Sequence, residues 1–248
     1  MYRANIRSVF IGIETPRAES LKETKKFQNL RGDSQAAKLA RIQSAGLDIH
    51  AGFIVGFDSD DVSIFEDQYR FIQDNGITLA MVGMLQAIPK TPLYERLQRE
   101  GRLVEEDPSC NIVPKLMSRD ELRNGYWKLV ARLYTPAAFF DRYFKVCKSD
   151  EYLRRRAEIC RKAGEGKKLP TLWFGVGLLW SLFWALLWDG SLFSVGSIYM
   201  RYFFVRNLWH RPGIIGFAQF MNRCVTHWHF YKFTRELTAG RLRAYNTL

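Results

Sequence analysis

Ala51 to Asp61 reads AGFIVGFDSDD, and the fold turns on how this stretch is interpreted. Phe53, Ile54, Val55 and Phe57 form an apolar run of the kind found in parallel strands covered on both faces. Gly52 and Gly56 punctuate it. Glycines inside a strand mark a bulge, or a place where a second backbone or a ligand comes close. Asp58, Asp60 and Asp61 then offer carboxylates that can cap a following helix. Strand, close-approach glycines and helix start all fall within one short segment.

Upstream, Arg7 to Glu14 (RSVFIGIE) is a second apolar run. It stops at Thr15-Pro16, because the proline pushes Thr15 out of the helical region. Between the two runs, Glu19 to Asn29 predicts a short basic helix. Gly32-Asp33-Ser34 caps another, with Ala36, Leu39, Ala40 and Ile42 on one face and Gly46 as its stop. Downstream, Val62, Phe65, Tyr69 and Ile72 predict an amphipathic helix ended by Gly76. A third apolar run follows at Leu79 to Ala87 (LAMVGMLQA), and then a helix opened by Thr91-Pro92 and closed by Gly101. Such alternation is that of parallel βαβ units. Three parallel strands leave backbone edges to be covered, so the expected fold class is α/β, a partial parallel (β/α) barrel that is the later part of a larger one. That barrel portion is expected over residues 1–103, and a mainly α-helical extension over 104–248.

In the extension, Ser118 to Glu121 (SRDE) forms a capping box ahead of Leu122, Tyr126, Leu129, Val130 and Leu133, and Thr135-Pro136 starts a further helix. Lys148 to Lys168 is rich in cations, including the run Arg154, Arg155, Arg156. Charge then disappears from Leu169 to Trp188, and a second uncharged stretch follows Asp189-Gly190-Ser191 as far as Met200. The first uncharged stretch has the length of a membrane span. Its Trp173, Trp180, Trp184 and Trp188 form a stripe along the whole helix, whereas spanning helices keep tryptophan mainly at the two interfaces. Three placements follow: lying on or dipping into a membrane surface, packing against the barrel, or spanning.

With 248 residues the chain makes one large domain or two ordinary ones, and 47% hydrophobic content excludes a disordered chain. The net charge of +12 suits an anionic partner, which charge alone does not specify among nucleic acid, a membrane surface and a phosphorylated ligand. Cys110, Cys147, Cys160 and Cys224 fit no metal or cluster spacing, and with no signal peptide at the start the default compartment is the reducing cytoplasm. Cys224, His227 and His229 make a C-x2-H-x-H pattern, but on a helix His229 points away from the other two, so a structural role is expected. A parallel sheet binds ligands at the carboxyl ends of its strands, here at Glu14, at Gly56 to Asp60 and at Met84 to Gln86. On the residues alone, Glu14 reads equally as a loop cap and the glycines as plain turn residues.

RSVFIGIET, SLKETKKFQN, AGFIVGFDSDD and MLQAIPKTPLYERL, in that order, resemble the second half of the radical S-adenosylmethionine (SAM) barrel. The subgroup most similar has a cobalamin-binding domain before the barrel and an uncharacterised helical region after it. The resemblance implies that Glu14 contacts the ribose or methionyl part of SAM, and that Gly52, Ile54 and Gly56 match a G-x-I-x-G-x-x-E pattern laid against the adenine. Ser59 occupies the slot of that pattern's acid, with Asp60 one residue late. Backbone contacts to the adenine are implied near Leu85 or Gln86. In the following loop, Lys90 replaces the glycine of the family's P-G-T-P-L.

The C-x3-C-x2-C loop that would hold a [4Fe-4S] cluster is absent from these residues. The cluster and cobalamin are therefore expected of the parent family only, and this chain alone is expected to be inactive, with a missing N-terminal barrel half or parent polypeptide as its partner. A second reading is a non-enzymatic membrane-surface or interaction module, peripheral at the inner face of the membrane. No nucleic acid is expected as a partner.

Overall fold

The structure is a computed structural model that describes residues 4, 6–23, 26–104, 110–162, 168–210 and 213–239. The described residues form three strands and a set of helices, in the order strand, helices, strand, helix, strand and then helices only. The strands are β1 (Ser8–Glu14), β2 (Asp48–Val55) and β3 (Leu79–Met84), in the sheet order β1-β2-β3. The sheet is parallel, with β2 meeting β3 so that Gly52 lies opposite Met81 and Ile54 opposite Gly83. An α/β portion and a helical portion are thus both present, as the sequence pattern requires.

The expected helix over Glu19 to Asn29 is instead two pieces, α1 (Ala18–Glu23) and α2 (Phe27–Leu30), on either side of residues outside the described set. α3 (Gln35–Ser44) and α4 (Ile64–Asp74) fill the crossovers, and each is followed by a glycine with positive φ, Gly46 and Gly76. In α5 (Pro92–Arg99), Thr91 accepts a hydrogen bond from the Tyr94 amide at 3.3 Å, as an N-cap ahead of an N1 proline should. α6 (Arg119–Leu133) opens on the capping box. Ser118 N donates to Glu121 Oε2 at 2.7 Å, and Glu121 N donates back to Ser118 Oγ at 3.1 Å.

α7 (Pro136–Val146), α8 (Asp150–Lys162) and α9 (Lys168–Trp188) follow. Beyond α9 a π-helical turn at Leu192–Gly196 leads into α10 (Ser197–Tyr202). A second π turn at Phe203–Asn207 precedes α11 (Leu208–His210), and α12 (Gly213–Thr238) ends the described helices. Contacts divide the chain into two compact units. One comprises Met1–Val9, Arg41–Asp48 and Tyr134–Phe233, and the other Phe10–Ala40, Ile49–Leu133 and Thr234–Leu248.

In the first unit the core is aromatic. Phe139, Phe140, Phe144 and Phe220 are fully buried, and Phe140 stacks on Tyr202 with centroids 5.0 Å apart. Asp48, at the foot of β2, is the charged centre of this unit. It accepts from the Tyr152 hydroxyl at 2.7 Å and from Arg223, and it pairs with Arg156 Nη2 at 3.0 Å. Burial pushes the Asp48 carboxyl up, but the two guanidiniums and the tyrosine outweigh that and hold it at about 2. Arg156 also donates to the Arg7 carbonyl. The run Arg154, Arg155, Arg156 is therefore not one solvated face: Arg154 is exposed, whereas Arg156 is a structural ion-pair partner.

In the second unit only one sheet face is covered. Ile49, Ala51, Phe53 and Val55 are buried, and Phe53 meets Phe71 of α4 edge-on at 6.2 Å. The alternate residues His50, Gly52 and Ile54 are only half-buried. On the neighbouring strands Phe10 is 62% and Met81 56% exposed. A continuous apolar run had implied strands covered on both faces. The open face accounts for the difference, because Ile54 remains apolar and half-buried with no helix on top of it among the described residues.

Candidate functional site

The open face and the carboxyl edge of the sheet bring the sequence candidates together. Asp48 N donates to Arg7 O at 3.0 Å, and carrying that parallel register along β1 and β2 places Gly12 beside Gly52 and Glu14 beside Ile54. With the register of β3 added, Gly12 and Gly52 run toward Met81 in one row, and Glu14, Ile54 and Gly83 make the next. Gly12, Gly52, Ile54 and Gly83 share this face with Phe10, Met81 and Glu14, and Glu14 Oε1 comes 2.7 Å from where a Cβ on Gly12 would sit. Nothing lies within 4 Å of where a Cβ on Gly83 would sit. At Gly52 a Cβ would come 3.2 Å from Phe10 Cζ, so that glycine makes room for the Phe10 ring on the same face. Gly12 and Gly83 escaped the sequence reading because their meaning depends on register, which periodicity does not report.

Glu14 ends β1 at φ 67°, in the left-handed region where a non-glycine residue is strained. Two contacts hold it there: Lys26 Nζ pairs with its Oε1 at 3.1 Å, and Asn29 Nδ2 donates to the carbonyl of Ile13 at 3.2 Å. The carboxylate is thereby turned at the end of the strand, with its side chain 15% exposed.

Gly56 carries the chain out of β2 at φ 105°. Asp60 accounts for the turn, since its Oδ2 accepts from Gly56 N at 2.9 Å and Phe57 N at 3.1 Å while Oδ1 accepts from Ser20 Oγ at 2.9 Å. Burial pushes the Asp60 carboxyl up against these bonds. The acid one place late is thus committed to backbone. Ser59, in the acid's own slot, shares a 2.8 Å hydrogen bond with Ser20.

On β3 the Leu85 amide donates to Val55 O at 2.8 Å, so it continues the sheet ladder. Asn111 then grips the next peptide from both sides: Ala87 N donates to its Oδ1 at 2.9 Å, and its Nδ2 donates to Ala87 O at 2.8 Å. Leu85 and Gln86 are held between these two anchors. Asn111 lies in a segment with no periodicity, which is why its role was not legible beforehand. Lys90 sits at φ 66°, which gives the physical reason a glycine suits that loop position.

Behind the edge, Asp58 accepts from Arg96 and Arg102 at 2.6 Å each and pairs with Lys115 at 3.3 Å. Partial burial pushes its carboxyl up, but the bonds from Arg102 and Arg96 prevail and set it at about 2. Arg96 also reaches Glu23 at 3.2 Å. This cluster fastens α1, α5 and the turn after β2 to one another, so its charges are compensated within the fold.

The cysteines and histidines tell a different story. Cys110, Cys147, Cys160 and Cys224 are all buried thiols on separate elements, and among the described residues no three His, Cys, Asp or Glu side chains gather as a metal site would need. His227 has both ring nitrogens occupied. Tyr199 hydroxyl bonds Nδ1 at 2.5 Å and Nε2 lies 3.0 Å from the Tyr134 carbonyl, which fixes a neutral ring donating from Nε2. Burial lowers its pKa to about 4. The sign follows: the unfolded imidazole takes a proton near 6.5 and the folded one resists, so stability is full above pH 6.5 and falls as pH drops toward 4. A shift of this size corresponds to roughly 3 kcal/mol. Urea unfolding between pH 7 and 4 should show that loss, and H227Q should flatten it.

No solved structure matches the chain. Residues 91–242 match the family described as a domain of unknown function (DUF4070). Among curated proteins, an uncharacterized methyltransferase of Synechocystis sp. is 38% identical over 66% of this chain and 30% of its own length. The hopanoid C-2 methylase of Rhodopseudomonas palustris is 37% identical over 58% of this chain and 27% of its own. A bacteriochlorophyllide d C-12(1)-methyltransferase of Chlorobaculum tepidum is 26% identical over 56% and 31%. The family match over the helical portion, together with these relatives, places the chain among the radical SAM proteins of the cobalamin-associated subgroup. The chain belongs to the DUF4070 family within it. It spans less than a third of the length of the curated relatives it matches.

Proposed function

We propose that this chain contributes the adenosine side of a SAM site to a radical enzyme that methylates, or rearranges, a hydrophobic substrate. The observation that carries this reading is the open patch at Gly83 beside Ile54, on the uncovered face of the sheet at its carboxyl edge and in the same row as Glu14. A planar purine can lie on such a surface because no Cβ holds it off, while Ile54 supplies apolar contact. Glu14, turned at the end of β1, would receive the ribose hydroxyls or the methionyl ammonium. Gly56, Leu85 and Gln86 would border the ring. When bound, a [4Fe-4S] cluster supplies the electron for SAM cleavage in this class, and cobalamin supplies methyl transfer. The dispersed, buried cysteines here do not fit a cluster site, so the thiolates would come from residues outside this sequence, and the chain alone would be inactive. The fold over 1–103 would then be the later portion of the barrel and 104–248 its helical extension.

Saturation-transfer NMR with S-adenosylhomocysteine tests the reading directly. Adenine and ribose protons should receive saturation from the chain, and G83L should weaken binding more than tenfold. Because nothing packs within 4 Å of a Cβ at this position, the variant should stay folded. Absence of adenine contact in the wild type, or binding indifferent to G83L, would sink the proposal. Anaerobic reconstitution with iron and sulfide should leave the chain without a stoichiometric cluster, and a stoichiometric cluster would refute the assignment of its ligands elsewhere.

A further inference from the structure

We propose that α9, with the π turns and α10 that follow it, is a docking face that lies on an anionic phospholipid bilayer. α9 is apolar around its whole circumference, a pattern found in helices buried in protein or in lipid. Protein covers only a narrow seam. Leu182 and Leu186 are buried, and Gly175 faces Phe217, where a Cβ would come within 2.9 Å. The tryptophan stripe points outward instead, with Trp173 68%, Trp180 63% and Trp188 85% exposed. Within its own unit the stripe is thus left uncovered by protein. Phe193, Phe204 and Trp209 continue the exposed apolar surface beyond the helix. A patch of this extent marks a protein or membrane partner.

Charge selects between those partners. From residue 166 to 235 the sequence holds one acid, Asp189, against eight lysines and arginines, of which Arg223 is buried in its pair with Asp48. Asp189 accepts a hydrogen bond from the Ser191 hydroxyl, and Arg206 is paired with Asp141 at 2.5 Å. Arg201 is exposed on the same stretch, and Lys167, Lys168 and Arg211 flank it in sequence. An aromatic face that also carries the exposed Arg201 complements a surface of phosphate headgroups, where tryptophan prefers to sit. A second copy would present the same positive charge and repel.

Geometry favours lying over crossing. A 21-residue helix is long enough to span, but Trp180 would then sit in mid-bilayer, away from either interface. α10 is fastened to the protein body by Tyr199 on His227 and Tyr202 on Asp141, and Met200 and Arg201 lie on its exposed side. Such a face inserts to a shallow depth.

The test synthesises the full 248-residue chain in a cell-free reaction supplemented with vesicles, followed by flotation. The chain should float with phosphatidylglycerol-containing vesicles and much less with pure phosphatidylcholine. R201Q should weaken flotation roughly fivefold at low salt and leave it unchanged at high salt. W180S combined with W188S should weaken it more than tenfold at every salt concentration. Circular dichroism checks that each variant keeps its helix content, as expected for exposed positions. Tryptophan fluorescence should be quenched most by lipids brominated near the headgroup. A chain that stays with the soluble fraction, as monomer or dimer, overturns the proposal. Resistance to carbonate extraction with strongest quenching by deep bromines overturns it too, in favour of a spanning helix.

Discussion

Replacing Asp48 with alanine should cost the protein about 3–5 kcal/mol, read from urea unfolding at neutral pH, because it leaves a buried guanidinium without its counter-charge. Arg223 pairs with Asp48 inside the first unit, Arg156 approaches the same oxygen at 3.0 Å, and Tyr152 donates to the other. The carboxyl is held at about 2, below its unfolded value near 4. A depressed acid contributes stability above its unfolded pKa, and that contribution is lost as pH falls from about 4 through 2. Removing both charges tests the cause. R223M in the D48A background should recover part of the loss, since the penalty comes from an orphaned charge more than from a missing attraction. A double variant less stable than D48A would place the energy in packing around Arg223.

Gly56→Ala should lower stability by about 3 kcal/mol in a thermal or urea melt, and two separable costs contribute. At φ 105° any side chain strains the backbone, by roughly 1–3 kcal/mol. The new Cβ would also sit 3.1 Å from Leu122 Cδ2, and overpacking of that kind costs a similar amount. L122A removes a fully buried side chain and is destabilising by itself, so the cost of G56A is measured within the L122A background, where the steric part should vanish and the backbone part remain. A G56A change that costs nothing in the L122A background would show that φ at position 56 is unstrained. The position matters for the site, because this residue turns the chain at the carboxyl edge of the sheet.

The alternation of strands and helices was legible because apolar runs, caps and stop glycines repeat in step, and Gly46, Gly76 and Thr91-Pro92 fall where those runs place them. Coverage of the sheet was not legible. Ile54 and Val55 look alike in sequence, yet one faces the open side and the other is buried. Glu14, Gly52 and Ile54 could be named from the motif, whereas Gly12 and Gly83 needed strand register to join them. The role of Asp60 was hidden for another reason: a carboxylate that satisfies two amides of its own turn has the same spelling as one that greets a ligand. Composition marked α9 as apolar, but only packing separates a helix that is covered from one that is bare.

The ion pair between Asp48 and Arg223 joins residues 175 positions apart. On the ribosome the carboxylate emerges long before its guanidinium, and the first unit, assembled from three separated segments, cannot close until α12 has left the exit tunnel. The sheet residues of the second unit are synthesised earlier, so they can gather while Asp48 waits with Arg156 and Tyr152. Long loops add little closure entropy per doubling, about 0.6 kcal/mol, so the delay affects folding rate more than final stability. A chain released before residue 223 would carry an incompletely neutralised acid at the root of its central strand, which gives cellular proteases a window that closes only when translation of the last helix is complete.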